Sequence, residues 1–111
     1  MPARLLDLLL PGALKGCGAA VLDGMGEWLE ERLKAGVAEG ALIEDVGAFA
    51  DRIYRSPVPL VVTSTEMGMG MIPRDDAERR ILRVVSMSNQ LLAAQAGAVV
   101  LMVSGVPLRV R

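Results

Sequence analysis

The chain has no histidine, a single cysteine, one residue each of tryptophan, tyrosine and phenylalanine, and no excess of basic over acidic side chains. Without histidine, the commonest general base and metal-binding side chain is missing. Cys17 alone supports neither an internal disulfide nor a cysteine-based metal site, and this usage fits a reducing compartment, so a cytoplasmic protein is expected. Trp28, Phe49 and Tyr54 are too few for platforms on which bases stack. Lys plus Arg is 12 against 13 for Asp plus Glu, which leaves no positive field for a phosphate backbone, and nucleic acid is not an expected partner. The phosphate-cradling pattern Gly-x-x-x-x-Gly-Lys-Ser/Thr does not occur.

Long apolar runs are missing too. Ala98 to Val103 is far shorter than the ~20 residues of a membrane-spanning helix, so no membrane association is expected. Arg4, the leucine-rich run after it and Leu14-Lys15-Gly16-Cys17 imitate a lipoprotein signal. Asp7 within the run and Lys15 beside the cysteine argue against export. At 111 residues, 52% of them hydrophobic, the chain suits one domain with a core of Leu, Val, Ile, Ala and Met.

The most informative stretch is Pro59-Leu-Val-Val-Thr-Ser-Thr-Glu-Met-Gly-Met-Gly-Met-Ile-Pro73, where an apolar strand runs directly into hydroxyls, a carboxylate and two glycines. Parallel strands are buried on both faces, so polar groups gather at their carboxyl ends, where loops reach ligands above the sheet. The remaining pattern fits that architecture. Gly18 to Asp23 reads as a buried strand ending in an acid. Met25, Trp28, Leu29 and Leu33 recur at helical spacing, with Glu30 and Lys34 as an i,i+4 pair and Gly36 as a stop. Leu42, Val46, Phe49 and Ile53 line a second helix from about Ala41 to Tyr54. Pro57 and Pro59 then deliver the chain extended into Leu60-Val61-Val62.

After Pro73 comes the longest helical pattern, with Asp75 as N-cap, Glu78 as its capping-box partner, and an apolar face of Ala77, Ile81, Val84, Val85, Leu91 and Leu92. Gly97 ends it. Ala98 to Val103 reads as another buried strand, and a turn at Ser104-Gly105-Val106-Pro107 leads into an antiparallel edge strand over Leu108 to Arg111. Leu5 to Leu14 reads as a helix before the first strand. The expectation is therefore an α/β protein with a layered, mostly parallel sheet and an antiparallel carboxyl-terminal edge strand.

Several residues admit two readings. Asp23 at a strand end could hold magnesium through water or cap the following helix. Glu66 could be a general base, a ligand acceptor or a solvated loop acid. Gly68 and Gly70 could admit a ligand close to the backbone or form a flexible turn, and Pro73 stands where a dinucleotide fingerprint needs its third glycine. Met67, Met69 and Met71 have period two and suit core filling better than a soft-metal site. Asn89 and Gln90 interrupt an apolar helix and could meet a ligand or a neighbouring loop.

Val21-Leu22-Asp23 with Trp28-Leu29, then Val62 to Pro73, then Asn89-Gln90-Leu91-Leu92-Ala93 and finally Val103 to Leu108 resemble, in order and spacing, the adenosylcobinamide kinase/adenosylcobinamide-phosphate guanylyltransferase family of cobalamin biosynthesis. The resemblance spans nearly the whole sequence and is most specific in Glu-x-Gly-x-Gly-x-Ile/Val-Pro joined to the later Asn-Gln. It implies a three-layer RecA-like P-loop fold, often a trimer, that phosphorylates adenosylcobinamide with GTP or ATP and Mg and then transfers GMP onto the adenosylcobinamide phosphate. These residues correspond to roughly the carboxyl-terminal three fifths of that family, without its phosphate-binding loop and guanylylated histidine. The resemblance thus implies a single incomplete domain, inactive alone and completed by a separate P-loop-bearing chain or by residues ahead of Met1, in a homo- or hetero-oligomer. The alternative is a non-catalytic nucleotide- or corrinoid-binding assembly subunit.

The resemblance further implies that Asp23 is the acid of the magnesium-side strand, Glu66 the catalytic carboxylate, and Thr65, Gly68, Gly70, Pro73 and Asn89 the nucleotide- and substrate-side contacts. Thr65 stands where the family usually has Asn, Gly26 where a hydroxyl is common, and Arg83 and Met87 where Asp and Arg are usual. The central phosphate-loop strand of that fold would lie between the Val58-to-Thr65 and Ala98-to-Val103 strands, and its absence would leave apolar edges unpaired.

Overall fold

The structure is a computed structural model that describes residues 5, 7, 12–70 and 72–111. Its elements follow in the order β1 (Ala20–Leu22), α1 (Met25–Lys34), α2 (Glu39–Ile53), β2 (Leu60–Val62), α3 (Asp76–Gln95), β3 (Val100–Val103) and β4 (Val106–Arg109). The helix expected over Leu5 to Leu14 falls mostly outside the described residues; its last three residues, Gly12 to Leu14, are in a turn.

Helix α1 begins at Gly24, whose φ of 87° needs no side chain there, and ends in a glycine-based stop. Gly36, at φ 91°, donates its N–H to Leu33 O, and Val37 donates to Arg32 O, which together satisfy two of the helix's last carbonyls. Glu27 in the first turn and Arg32 and Lys34 in the last oppose the helix dipole, and Glu30 meets Lys34 at 2.9 Å as expected. Helix α2 starts two residues earlier than its apolar spacing indicated and buries Leu42, Val46, Phe49 and Ala50. Helix α3 starts where Asp75 accepts a hydrogen bond from the Glu78 N–H at 2.8 Å. Ala77, expected on its apolar face, is exposed, and Ser88 is fully buried there instead.

Leu22, Met25, Trp28, Leu29, Leu42, Val46, Phe49, Val84 and Val85 form one core, joined by Leu5. Each such side chain contributes about 1.5–3 kcal/mol by leaving water. The backbone N–H of Leu5 points at Asp45 Oδ1, 3.3 Å away, which ties the start of the described chain to α2.

The sheet differs from expectation. Strands β1 and β2 pair in parallel with Val21 opposite Val61, while β3 and β4 form a separate antiparallel pair. One mostly parallel sheet is therefore replaced, among the described residues, by two sheets of two strands each. The reason is visible in the burial. Leu22, Leu60 and Val62 face the helical core, whereas Val21 and Val61 on the other face are 67% and 55% exposed. Only one face of this parallel pair is covered, although its residues are apolar on both. Strand β3, expected to be buried, likewise exposes Val100, Met102 and Val103. The carboxyl-terminal strand is antiparallel as expected but begins at Val106, because the turn uses only Ser104 and Gly105, at φ 51° and 77°. Two successive positive φ values are the geometry of the tight hairpin turn. Arg111 then donates from Nη1 to the Ala93 carbonyl near the end of α3 at 2.8 Å, a favourable place for a cation.

Candidate functional site

The carboxyl ends of β1 and β2 meet at Thr63. Its N–H donates to Leu22 O at 2.9 Å and its carbonyl accepts from Met25 N–H at 2.9 Å, which carries the parallel pairing one residue past β2. Its hydroxyl donates to Asp23 Oδ1 and accepts from Gly24 N–H at 2.9 Å. One threonine therefore fixes the strand end, the acid and the first residue before α1. Asp23 does not cap that helix; the N-cap is Gly24, which has no side chain to offer. The sequence places Thr63 at the strand end without announcing this task, for which a hydroxyl directly after an apolar strand is the available signal.

The loop after Thr63 is held at several points. The Thr65 carbonyl accepts from Asn89 Nδ2 of α3 at 2.9 Å, and Glu66 Oε1 accepts from Gly68 N–H at 2.8 Å. Asn89 therefore meets a neighbouring loop, one of the two readings open from sequence, and its Oδ1 is a buried acceptor with no protein partner. Thr65 packs against α1: a Cβ on Gly26 would lie 3.1 Å from Thr65 Oγ1 and 3.3 Å from its Cβ. Glycine at position 26 is what lets this loop approach the helix so closely. Met67 packs partly against the core, whereas Met69 is exposed and Gly70 adopts φ 78°, a conformation that favours glycine.

Pro73 leads into a tight charged turn. Glu78 reaches back to Arg74, accepting from its backbone N–H at 2.7 Å, its Nε at 2.9 Å and its Nη2 at 2.6 Å. The expected capping box is thus shifted by one residue, since the Glu78 carboxylate takes the N–H of Arg74 instead of that of Asp75. The Arg74 side-chain hydrogen bond lowers the Glu78 pKa below its ordinary value, and the same bond raises that of Arg74. Further along α3, Arg83 pairs with Glu39 of α2 at 2.5 Å.

Asp23, Thr65, Glu66, Gly68 and Asn89 are thus linked in one region by β1, β2, α1 and α3, with Gly70 and Pro73 continuing the same loop. Asp23 and Glu66 are exposed carboxylates there. Among the described residues no three Cys, Asp or Glu side chains converge as a ready-made metal cage. A shallow cleft of about 280 Å³ between Leu33, Gly36, Val37, Ala38, Glu39 and Arg80 lies at the far end of α1, ten residues and about 15 Å from Thr63's end. None of the candidate site residues lines it. No described helix is long and apolar enough to cross a membrane.

Comparison with known proteins gives a family match. The family described as cobinamide kinase / cobinamide phosphate guanyltransferase matches residues 6–110. The bifunctional adenosylcobalamin biosynthesis protein CobU of Salmonella typhimurium is 29% identical over 86 residues, covering 78% of this chain and 48% of that protein. The protein of the same name from Escherichia coli is 30% identical over 73 residues, covering 66% of this chain and 40% of its own length. The chain spans about half the length of the curated relatives it matches.

Proposed function

Because the chain belongs to the cobinamide kinase / cobinamide phosphate guanyltransferase family, we propose that it serves cobalamin biosynthesis as the substrate-side part of a cytoplasmic kinase and guanylyltransferase. The observation that carries this reading is the clamped loop at the carboxyl ends of β1 and β2, where Thr63 holds Asp23 and Asn89 holds Thr65. Glu66 is the reactive carboxylate, as base or acceptor toward the substrate hydroxyl. Thr65, Gly68, Gly70, Pro73 and Asn89 line the side of the site that meets nucleotide and corrinoid. The Gly68 N–H now bound to Glu66 becomes free for a ligand if that carboxylate turns away.

Magnesium fits Asp23 in a limited way. It keeps most of its water and takes few protein oxygens, and an exposed carboxylate with one oxygen steadied by Thr63 suits that preference. Bound there with GTP or ATP, it would offset phosphate charge. The protein's own part is to hold Asp23 and the loop in fixed relation.

Phosphoryl transfer depends on positioned phosphate contacts, and these 111 residues contain neither a phosphate-binding loop nor a histidine to carry a guanylyl group. Those groups come from a P-loop-bearing polypeptide that completes one three-layer RecA-like sheet, in a trimeric assembly. The open apolar face of Val21 and Val61 supports this reading, because parallel strands are stable when both faces are covered.

The test is to measure GTP and cobinamide binding by the purified chain, together with phosphorylation of adenosylcobinamide. Binding without turnover, and turnover restored by a P-loop-bearing chain, is expected. Binding that no such chain converts into turnover would make it a non-catalytic assembly subunit. Absence of binding to both ligands refutes the proposal.

A further inference from the structure

Gly26 is a buried residue in the first turn of α1, and its backbone is not in the left-handed region, so the conformation that favours glycine is not the reason for it. Alanine is the better helix former, and at Gly40 or Gly47 of α2 an added Cβ would meet nothing closer than 3.9 Å. At Gly26 it would lie 3.1 Å from Thr65 Oγ1, 3.3 Å from Thr65 Cβ and 3.5 Å from Thr65 N. One residue of the loop after β2, main chain included, therefore takes up the space.

Thr65 is held a second time at its carbonyl, by Asn89 Nδ2 of α3 at 2.9 Å. Two residues earlier, the Thr63 hydroxyl is fastened to the same turn of α1, accepting from Gly24 N–H at 2.9 Å and donating to Asp23. The turn from Gly24 to Gly26 thus grips alternate residues of the loop, and each carboxylate of the site adjoins a grip. Asp23 precedes Gly24, and Glu66 follows Thr65. Beyond the Gly68 N–H that it accepts at 2.8 Å, the Glu66 carboxylate has no hydrogen-bonding partner among the described residues, so its place is set by the main chain that carries it.

We propose that Gly26 is a positioning residue: the bare first turn of α1 seats Thr65 and thereby fixes the Glu66 carboxylate relative to Asp23. A methyl group at position 26 displaces Thr65, the displacement passes to Glu66, and groups that meet a reacting ligand tolerate little misplacement. The inference rests on the role given to Glu66 above and adds the residue that sets its position.

The experiment compares the full chain with Gly26→Ala, Glu66→Gln, the two combined, and Gly47→Ala as a control helix substitution. Cobinamide binding is followed by equilibrium dialysis and visible absorbance, GTP binding by dialysis in parallel, each below the melting transition recorded by circular dichroism. Glu66→Gln weakens binding of the ligand that its carboxylate meets about tenfold or more. Gly26→Ala weakens the same ligand about threefold or more, and adds less than about twofold in the Glu66→Gln background, because the loss acts through that carboxylate. Gly47→Ala keeps both affinities within about twofold. NMR of the wild type needs no variant to fold: saturating ligand moves the Gly68 amide resonance as the carboxylate turns away, while the Gly26 to Thr65 nuclear Overhauser effect persists. Unchanged affinity in Gly26→Ala, losses that add to those of Glu66→Gln, or disappearance of that contact on binding overturns the inference and leaves the proposed function standing. Binding indifferent to Glu66→Gln overturns this inference together with the role of Glu66. A wild-type chain that binds neither ligand overturns this inference and the whole proposed function.

Discussion

Replacing Thr63 by valine tests whether one hydroxyl fastens the β1–α1 turn to the end of β2. Valine keeps the shape and the strand preference, and the backbone bonds to Leu22 and Met25 remain. What disappears is the donor to Asp23 Oδ1 and the acceptor of the Gly24 N–H. A hydrogen bond to a charged group contributes about 1.5–3 kcal/mol and a neutral one about 1 kcal/mol. Thr63 is exposed, so water replaces part of both and the net loss is nearer ~1–2 kcal/mol. Urea denaturation followed by Trp28 fluorescence measures it, with a drop in Tm of roughly 5–10 °C as the thermal counterpart. Thr63→Ser keeps most of the stability. A double-mutant cycle with Asp23→Asn separates the carboxylate contact from the rest and gives a coupling of about 1 kcal/mol. If Thr63→Val matches the wild type within ~0.3 kcal/mol, or the cycle shows no coupling, the clamp does not hold the turn.

Gly26→Ala places a methyl group 3.1 Å from Thr65 Oγ1, so it destabilises by about 1–3 kcal/mol in thermal melts. Made in a Thr65→Gly background, the same change is neutral or stabilising by up to ~1 kcal/mol, because alanine is the better helix former. Asn89→Ala frees the Thr65 carbonyl and speeds proteolysis and amide exchange between Ser64 and Pro73, while α2 is unaffected. Glu78 is lowered chiefly by the Arg74 side-chain hydrogen bond, so its folded pKa lies below its unfolded value. The resulting stability is present above the ordinary value of 4.5 and is lost as pH falls through the lowered one. The difference between wild type and Glu78→Gln therefore holds steady near neutrality and shrinks on acidification, which NMR titration and denaturation as a function of pH both read.

Much of the fold is legible in local pattern. The spacing of Leu42, Val46 and Phe49, the cap at Asp75 and the stop at Gly36 each specify an element through residues within a few positions of one another. The shift at Glu78 is a small local failure, since its side chain reaches Arg74 because a guanidinium and an N–H wait there together. What could not be read is non-local. Thr63 and Asp23 are 40 residues apart, and nothing in either segment's periodicity announces that their side chains meet. The same holds for Gly26 against Thr65, where a close approach is visible only once α1 and the loop are packed. The division into two sheets escaped for another reason. Apolar strands with no polar face predict burial, and burial is a property of everything that surrounds a strand.

The hairpin's two edges have unequal consequences for aggregation. In a hairpin closed by a two-residue turn, Val103 and Val106 exchange hydrogen bonds, so the backbone groups of Met102 and Pro107 point away from each other. On the β4 side that outward position belongs to proline, which has no N–H to offer an incoming strand, and Arg109 and Arg111 add like charges beside it. On the β3 side Met102 presents both its N–H and its carbonyl within Val-Leu-Met-Val, with no charge to repel a neighbour. Among the described residues, addition of strands is thus blocked at one border and open at the other. Uncontrolled association through this hairpin is therefore expected to stop at an edge-to-edge pair of β3 strands and not to extend into a fibril.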